Sequence, residues 1–120
     1  MNQFLSMLKT IHAACAYIII ALGVLHLLFT FRDYDEFTLR ALWFAGAGFA
    51  IIFAGFLNLI SVRLGGRDAP ARALCFIANA ALTVLFVAAL WLMRQPQVFV
   101  GVLLFGVASI ATLAARVPRD

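Results

Sequence analysis

The chain contains only two histidines, and both lie in one apolar stretch, HAACAYIIIALGVLH, which runs from His12 to His26. At about 100° per residue, their separation is about 40° short of four full helical turns, so both side chains point to nearly the same side of a helix. The axial distance between them is about 21 Å at a rise of about 1.5 Å per residue. An ionisable side chain in such a segment is a candidate for metal binding, proton transfer or transport.

One metal ion cannot bridge two imidazoles this far apart, but two separate cofactors can each take one histidine as a ligand. Neutral imidazole is a good ligand for haem iron, and two such ligands leave no open position on the metal, which suits electron transfer. The residues between the histidines on the same face are Ala16, Ile19 and Gly23. Because two of these three residues are small, we expect room for a bulky group against this face.

The histidine spacing resembles that of respiratory b-type cytochromes, in which a transmembrane helix carries the ligands of two haems that stack across the membrane. The resemblance covers only the first apolar segment, and no other segment of this chain contains a histidine. A second copy of the protein is therefore needed to complete each site, with His12 facing His12 and His26 facing His26. The hypothesis is a homodimeric electron carrier in which these histidines bind the iron of haem b.

Two other interpretations of the histidine pair remain open. A histidine near a helix end can be a neutral hydrogen-bonding group with a structural role, bonded to a backbone carbonyl or to a hydroxyl. Alternatively, the pair can serve proton transfer or transport, because ionisable groups within membrane segments are usually functional.

The composition of the chain indicates that it lies in a membrane. Its 120 residues are 66% hydrophobic and 12% charged, whereas in soluble domains about a quarter of the residues are charged. Four apolar segments of roughly 20 residues are each long enough to cross a hydrocarbon layer about 30 Å thick. We predict a single integral membrane domain over residues 1–120, with spans at approximately 9–31, 41–63, 70–93 and 97–116.

The connections between these spans are short, which predicts an all-α bundle of four transmembrane helices in up-down-up-down order. Asp68 is placed to cap the third helix, with Pro70 in its first turn. The pair Gly65-Gly66 suits the end of the second helix, and Pro96 marks the break before the fourth.

The distribution of lysine and arginine predicts the orientation of the bundle. If both termini lie inside, the inner side holds six of these residues and the outer side holds three. This bias favours cytoplasmic termini. The net charge of +4 follows from these flanking residues, which contact anionic lipid headgroups, so nucleic acid is not an expected partner.

Small residues in the second span predict where helices pack closely. One ridge has residues four apart and ends in an amide: Gly46, Ala50, Ala54 and Asn58. A neighbouring face carries Gly48 and Gly55. Small side chains let helix backbones approach, and an amide can bond across the contact. Asn79 lies in the same membrane half as Asn58, at a depth that differs by about 6 Å, so the two amides can bond. We interpret them as packing residues, with a pore or substrate site as the alternative.

Other residue patterns give an enzymatic activity little support. Cys15 and Cys75 fall within predicted spans near the same membrane face, without the spacing of zinc, dithiol or c-type haem sites. The acidic residues lie in predicted loops or at the C-terminus, and neither a Ser-His-Asp arrangement nor the HExxH pattern is present.

The stretches GVLHLLF and LWFAGAGFAIIFAGFLNL resemble small bacterial four-helix membrane proteins. This resemblance covers about the first half of the chain and implies a bacterial inner membrane and four spans, but no activity. Four-helix multidrug exporters and fluoride channels match in size. However, the first span lacks the acidic residue of the exporters, and the glycine-arginine motif of the channels is not visible. The alternatives to a haem carrier are therefore a small channel or transporter, or an accessory or scaffold subunit of a larger membrane complex.

Overall fold

The computed structural model describes residues 1–115, which form four α-helices joined by short loops. The helices are α1 (Asn2–Asp33), α2 (Leu39–Arg63), α3 (Ala69–Leu92) and α4 (Pro96–Ala114). Each helix is long and apolar enough to cross a membrane, which indicates a multi-pass membrane protein. The predicted all-α, four-span architecture is confirmed.

The four helices form a closed ring in which each helix packs against two others. Helix α1 contacts α2 and α4, and α3 also contacts α2 and α4. The most extensive contacts are those of α1 with α2 and of α3 with α4. The bundle therefore consists of two helical hairpins packed side by side, with overall dimensions of 56 × 23 × 19 Å.

The helix ends around the α2–α3 loop follow the local sequence signals. Asp68 Oδ1 accepts a hydrogen bond of 2.8 Å from the backbone amide of Ala71, and Pro70 lies in the first turn of α3. Gly65 and Gly66 follow α2 with φ angles of 62° and 71°. This left-handed conformation favours glycine, which has no Cβ. The predicted cap and helix end are both confirmed.

Helix α1 begins at Asn2, well before the predicted start at about residue 9. The sequence from Asn2 to Lys9 contains neither glycine nor proline, so nothing interrupts the helix before the apolar segment. With 32 residues, α1 is about 48 Å long. The first seven residues are all exposed.

Helices α1 and α2 pack with their backbones unusually close at glycines. A Cβ on Gly23 would lie 2.9 Å from the backbone nitrogen of Ile52 and 3.0 Å from the carbonyl oxygen of Gly48. A Cβ on Gly55 would lie 3.3 Å from the carbonyl oxygen of Ala16. The small residues between the two histidines are therefore covered by α2. The expected room for a bulky group on this face of α1 is absent, and that expectation was wrong.

The predicted ridge on α2 is only partly used for packing within the chain. Ala54 and Asn58 are buried, whereas Gly46 and Ala50 are exposed, and a Cβ on Gly46 would meet no heavy atom within 4 Å. The reason is that α1 packs along the neighbouring face of α2, which carries the other two glycines. The first half of the ridge therefore points away from the bundle.

The middle of the bundle is apolar, and so is much of its outer surface. Large side chains such as Phe53, Leu85 and Leu103 are more than half exposed, which suits contact with lipid. Inside, the rings of Phe86 and Phe105 lie 5.5 Å apart. We define the apolar core by its buried members, which are Cys15, Ile19, Ile51, Ala54, Leu104, Phe105 and Ala108.

We expect Gly23→Ala to destabilise the bundle and Gly46→Ala to leave it unchanged. The new methyl group on Gly23 meets backbone atoms of α2, and the forced separation costs about 1–3 kcal/mol. The same group on Gly46 points into open space. Thermal unfolding in detergent, followed by helical circular dichroism, compares the two variants. Equal unfolding midpoints would show that α1 and α2 do not pack through Gly23.

Candidate functional site

Six polar side chains, contributed by all four helices, meet in the half of the bundle that contains the start of α1 and the end of α4. None of them is more than 4% exposed. We call this group the polar cluster. Its members are His12 of α1, Asn58 and Ser61 of α2, Cys75 and Asn79 of α3, and Thr112 of α4.

Asn58 and Asn79 form a reciprocal amide pair at the centre of the polar cluster. Asn58 Nδ2 donates to Asn79 Oδ1 at 2.7 Å, and Asn79 Nδ2 donates to Asn58 Oδ1 at 2.8 Å. Asn58 Nδ2 also donates to the carbonyl oxygen of Ala54 at 2.8 Å. This bond to a backbone oxygen fixes the orientation of the Asn58 amide, because only the NH₂ group can donate. The sequence-based expectation that the two amides can bond is confirmed.

His12 Nε2 lies 2.7 Å from Asn58 Oδ1. Because the carbonyl of Ala54 holds the NH₂ group of Asn58, the amide oxygen faces the imidazole, and this oxygen can only accept. His12 must therefore carry a proton on Nε2. In the neutral imidazole Nδ1 is then the unprotonated nitrogen, so the ring can take up a second proton without losing its bond to Asn58.

Cys75 and Thr112 extend the polar cluster to α4. Cys75 Sγ lies 3.4 Å from Asn58 Oδ1, to which it donates, and 3.6 Å from Thr112 Oγ1. Thr112 Oγ1 donates to the carbonyl oxygen of Ala108 at 2.7 Å and accepts a long hydrogen bond of 3.5 Å from Asn79 Nδ2. A continuous series of polar contacts thus runs from α1 to α4.

Ser61 is the unsatisfied member of the polar cluster. Its Oγ atom is buried and has no hydrogen-bond partner within residues 1–115, although the side chain lies beside the Cys75 thiol. A buried polar group without a partner costs about 1–3 kcal/mol, so Ser61 is the least stabilising member of the polar cluster.

The polar cluster has no carboxylate. The buried polar side chains of the described residues include no aspartate or glutamate, and no group of three metal-ligating side chains occurs among them. The titratable members are His12 and Cys75, and Lys9 and Cys15 each lie three residues from His12 on α1.

His26 lies in the opposite half of the bundle, beyond the apolar core. Its ring stacks on Phe44, with centroids 3.9 Å apart and an interplanar angle of 17°. The Nε2 atom is buried and has no hydrogen-bond partner in the described part of the chain. Since His12 and His26 both contact α2, the prediction that they point to one side of α1 is confirmed.

The geometry gives no support to the predicted haem site at His12. The imidazole is 4% exposed and bonded to Asn58 of its own chain, so it does not face a surface where a second copy could supply a ligand. Between the two histidines, α2 lies directly against Ala16 and Gly23. Ligation of haem by His12 would require α1 and α2 to separate.

Three members of the polar cluster were missed by reasoning from the sequence: Ser61, Cys75 and Thr112. A signal was present for two of them. Ser61 follows one predicted amide by three residues, and Cys75 precedes the other by four. These spacings place side chains on one helix face. Thr112 carries no comparable signal, because only the packing of α4 against α3 brings it to the cluster.

Comparisons of the chain with protein-family models, with characterised proteins and with solved structures find no match. The resemblances to small bacterial four-helix membrane proteins and to the two-histidine helix of b-type cytochromes therefore stay predictions. The polar cluster is the feature from which a function can be inferred.

We expect Asn58→Ala to lower the stability of the bundle, whereas Ser61→Ala leaves it unchanged or raises it. Loss of the Asn58 amide leaves His12 and Asn79 without their main partners, which costs about 1–3 kcal/mol. Ser61 Oγ makes no hydrogen bond that its removal could break. Unfolding midpoints of both variants in the same detergent measure the difference. A similar loss in both variants would contradict the hydrogen-bond assignment.

Proposed function

We propose that this protein is a small transporter of the bacterial inner membrane in which the polar cluster binds a proton together with a small solute. The observation that carries the proposal is the 2.7 Å hydrogen bond between His12 and Asn58. It joins an ionisable imidazole to a buried network supplied by all four helices. Ionisable groups inside membrane helices are costly, and they commonly mark substrate and proton pathways.

His12 is suited to bind and release a proton. Its Nε2–H group stays on Asn58 while Nδ1 exchanges the second proton, so the charge of the ring can change without dismantling the network. The titratable groups around it are the thiols of Cys15 and Cys75, and Lys9 lies one turn towards the start of α1. No carboxylate is buried with the imidazole in residues 1–115. A bound anion is therefore the natural counter-ion of the protonated ring.

The apolar core favours a transporter over an open channel. Within residues 1–115, every buried polar residue belongs to the polar cluster. The fully buried side chains of Ile19 and Phe105 lie between the cluster and the other end of the bundle. A solute in the cluster is thus sealed from that end. In transporters, a substrate-binding site is closed on one side of the membrane, and helix movements switch its access from one side to the other.

The proposed orientation places both termini in the cytoplasm. It rests on six lysine and arginine residues on that side against three on the other, a bias that follows the positive-inside rule. With this orientation the polar cluster lies in the cytoplasmic half of the membrane.

The substitution His12→Gln tests the proposed function. Glutamine retains an amide that can donate to Asn58 Oδ1, but it takes up no proton near neutral pH. We expect proton uptake into liposomes with an entrapped pH-sensitive dye, driven by an inward proton gradient, to fall about tenfold or more.

The matched control is His26→Gln, which makes the same exchange on the same helix but outside the polar cluster. It should keep most of the proton uptake. Undiminished uptake by folded His12→Gln protein would refute a proton site at His12, and an equal loss in both variants would show that the effect is not specific to the cluster.

A haem-binding electron carrier is the second candidate, and one observation favours it. The Nε2 atom of His26 is buried without a hydrogen-bond partner among residues 1–115, so this nitrogen is free to act as a ligand after a rearrangement. A second copy of the chain would have to supply the other axial histidine. The stacking of His26 on Phe44 opposes this arrangement.

The absorption spectrum of protein expressed with ample haem distinguishes the two candidates. We expect no Soret band, because His12 is bonded to Asn58 and the ring of His26 stacks on Phe44. A Soret band that His26→Leu removes and His12→Leu retains would favour the electron carrier instead.

A role as an accessory or scaffold subunit, and self-association as a homodimer, stay predictions. The surface that would serve them is the outer part of the α2 ridge, where Gly46 and Ala50 are exposed. Small residues on a lipid-facing surface allow another helix to approach closely.

A further inference from the structure

A pocket of about 160 Å³ opens between α3 and α4 beside the polar cluster. Thr112 belongs to both, because it lines the pocket and its hydroxyl accepts the 3.5 Å hydrogen bond from Asn79. The pocket therefore adjoins the cluster at the end of the bundle that contains the α2–α3 loop. Its lining consists of Ala69, Arg72, Ala73, Phe76, Thr112 and Leu113.

The lining combines one positive group, one hydroxyl and apolar walls. Arg72 Nη1 donates to the carbonyl oxygen of Gly66 at 3.1 Å, which holds the guanidinium in place and uses one of its five N–H donors. Among residues 1–115, no acidic side chain lines the pocket. A guanidinium fork matches a carboxylate in shape and charge, and Phe76 and Leu113 offer contact to a short hydrocarbon chain.

The volume indicates how large a group the half-open pocket can hold. An apolar cavity of about 150 Å³ in a protein holds a ring of six carbon atoms. The pocket of about 160 Å³ therefore accommodates a molecule of about six non-hydrogen atoms.

We propose that this pocket binds a small monocarboxylate, with its carboxylate on the guanidinium of Arg72 and its hydrocarbon chain against Phe76 and Leu113. The inference rests on the proposed function and identifies the class of solute that would be transported. The anion would enter beside a cluster whose imidazole takes up a proton, and the two would cross the membrane as an electrically neutral pair. Pairing of the charges avoids the large cost of moving a net charge through hydrocarbon.

Three probes of matched chain length test the charge of the ligand: butyrate, butyramide and butylammonium. Equilibrium dialysis of radiolabelled butyrate against the full-length protein in lipid-free detergent measures binding, and the other two compounds serve as competitors. We expect butyrate to bind and neither competitor to displace it at equal concentration. Failure of butyrate to bind, or equal competition by butyramide, would overturn the proposal.

Arginine variants test the position of the site. Arg72→Gln should weaken butyrate binding about tenfold or more, as expected for the loss of a hydrogen bond to a charged group. Arg67→Gln is the matched control, because Arg67 is exposed in the α2–α3 loop, five residues before Arg72, and does not line the pocket. Equal weakening of butyrate binding by both variants would show that binding depends only on the overall surface charge, and it would refute the site at Arg72.

Two further variants keep the test independent of folding. Arg72→Lys retains the positive charge and should bind butyrate better than Arg72→Gln. Ala73→Leu fills the pocket without altering charge and should abolish binding. Size-exclusion chromatography and circular dichroism verify that each variant is folded. Retained binding in folded Ala73→Leu protein would show that butyrate binds elsewhere.

The same chemistry, an oxyanion attached to an apolar chain, also occurs in anionic lipids. Butyrate binding in nanodiscs of phosphatidylcholine, with and without phosphatidylglycerol, separates the two sources. Loss of binding with phosphatidylglycerol would assign the pocket to a lipid headgroup and overturn the monocarboxylate assignment, whereas unchanged binding supports a soluble carboxylate.

The failures of the two proposals are distinguishable. Absence of butyrate binding in the unaltered protein removes the solute and leaves the proton-uptake test of His12 as it stands. Undiminished proton uptake in His12→Gln removes the proton site and leaves the binding measurements at Arg72 intact.

Discussion

The amide of Asn58 is the group on which the arrangement of the four helices depends. Hydrocarbon offers no hydrogen bonds, so a polar side chain in a membrane helix must find its partners within the protein. Asn58 Oδ1 accepts from His12 on α1 and from Asn79 and Cys75 on α3, and its NH₂ group bonds to its own helix at Ala54. Hydrogen bonds between membrane helices contribute only about 1–2 kcal/mol each. They therefore select one arrangement of the helices, while close packing supplies much of the stability.

Packing and polar contacts act together in the same part of the bundle. The backbones of α1 and α2 approach where Gly55 meets the carbonyl oxygen of Ala16. Gly55 is three residues before Asn58, and Ala16 is four residues after His12. The close approach thus lies about one helical turn from the hydrogen bond between the imidazole and the amide. A larger residue at this contact would separate the helices and lengthen that bond, so the glycine positions the candidate proton site.

Much of the fold could be predicted from the sequence, because apolar segments of sufficient length and the signals at Asp68, Gly65 and Gly66 are local properties. The candidate site was less accessible. The spacing of the histidines predicted that both lie on one side of α1. It did not predict that the helix packed against that side is α2. The size of Gly23 was interpreted as space for a cofactor, whereas in the fold it allows another helix to approach. Whether a small residue leaves space for a cofactor or allows a helix to approach depends on which helix faces pack together. The periodicity of the sequence does not specify those faces.

The unequal lengths of the helices have a consequence for the surrounding lipid. Helix α1 has 32 residues and α4 has 19, which correspond to about 48 Å and about 28 Å. The excess of α1 includes Phe4 and Met7, which are about half exposed. If α4 matches a hydrocarbon layer of about 30 Å, these side chains reach the interfacial zone, where a change of membrane thickness alters their hydration. A helix longer than the hydrocarbon layer is accommodated by tilting or by local thickening of the bilayer, so α1 and α4 make unequal demands on the surrounding lipid.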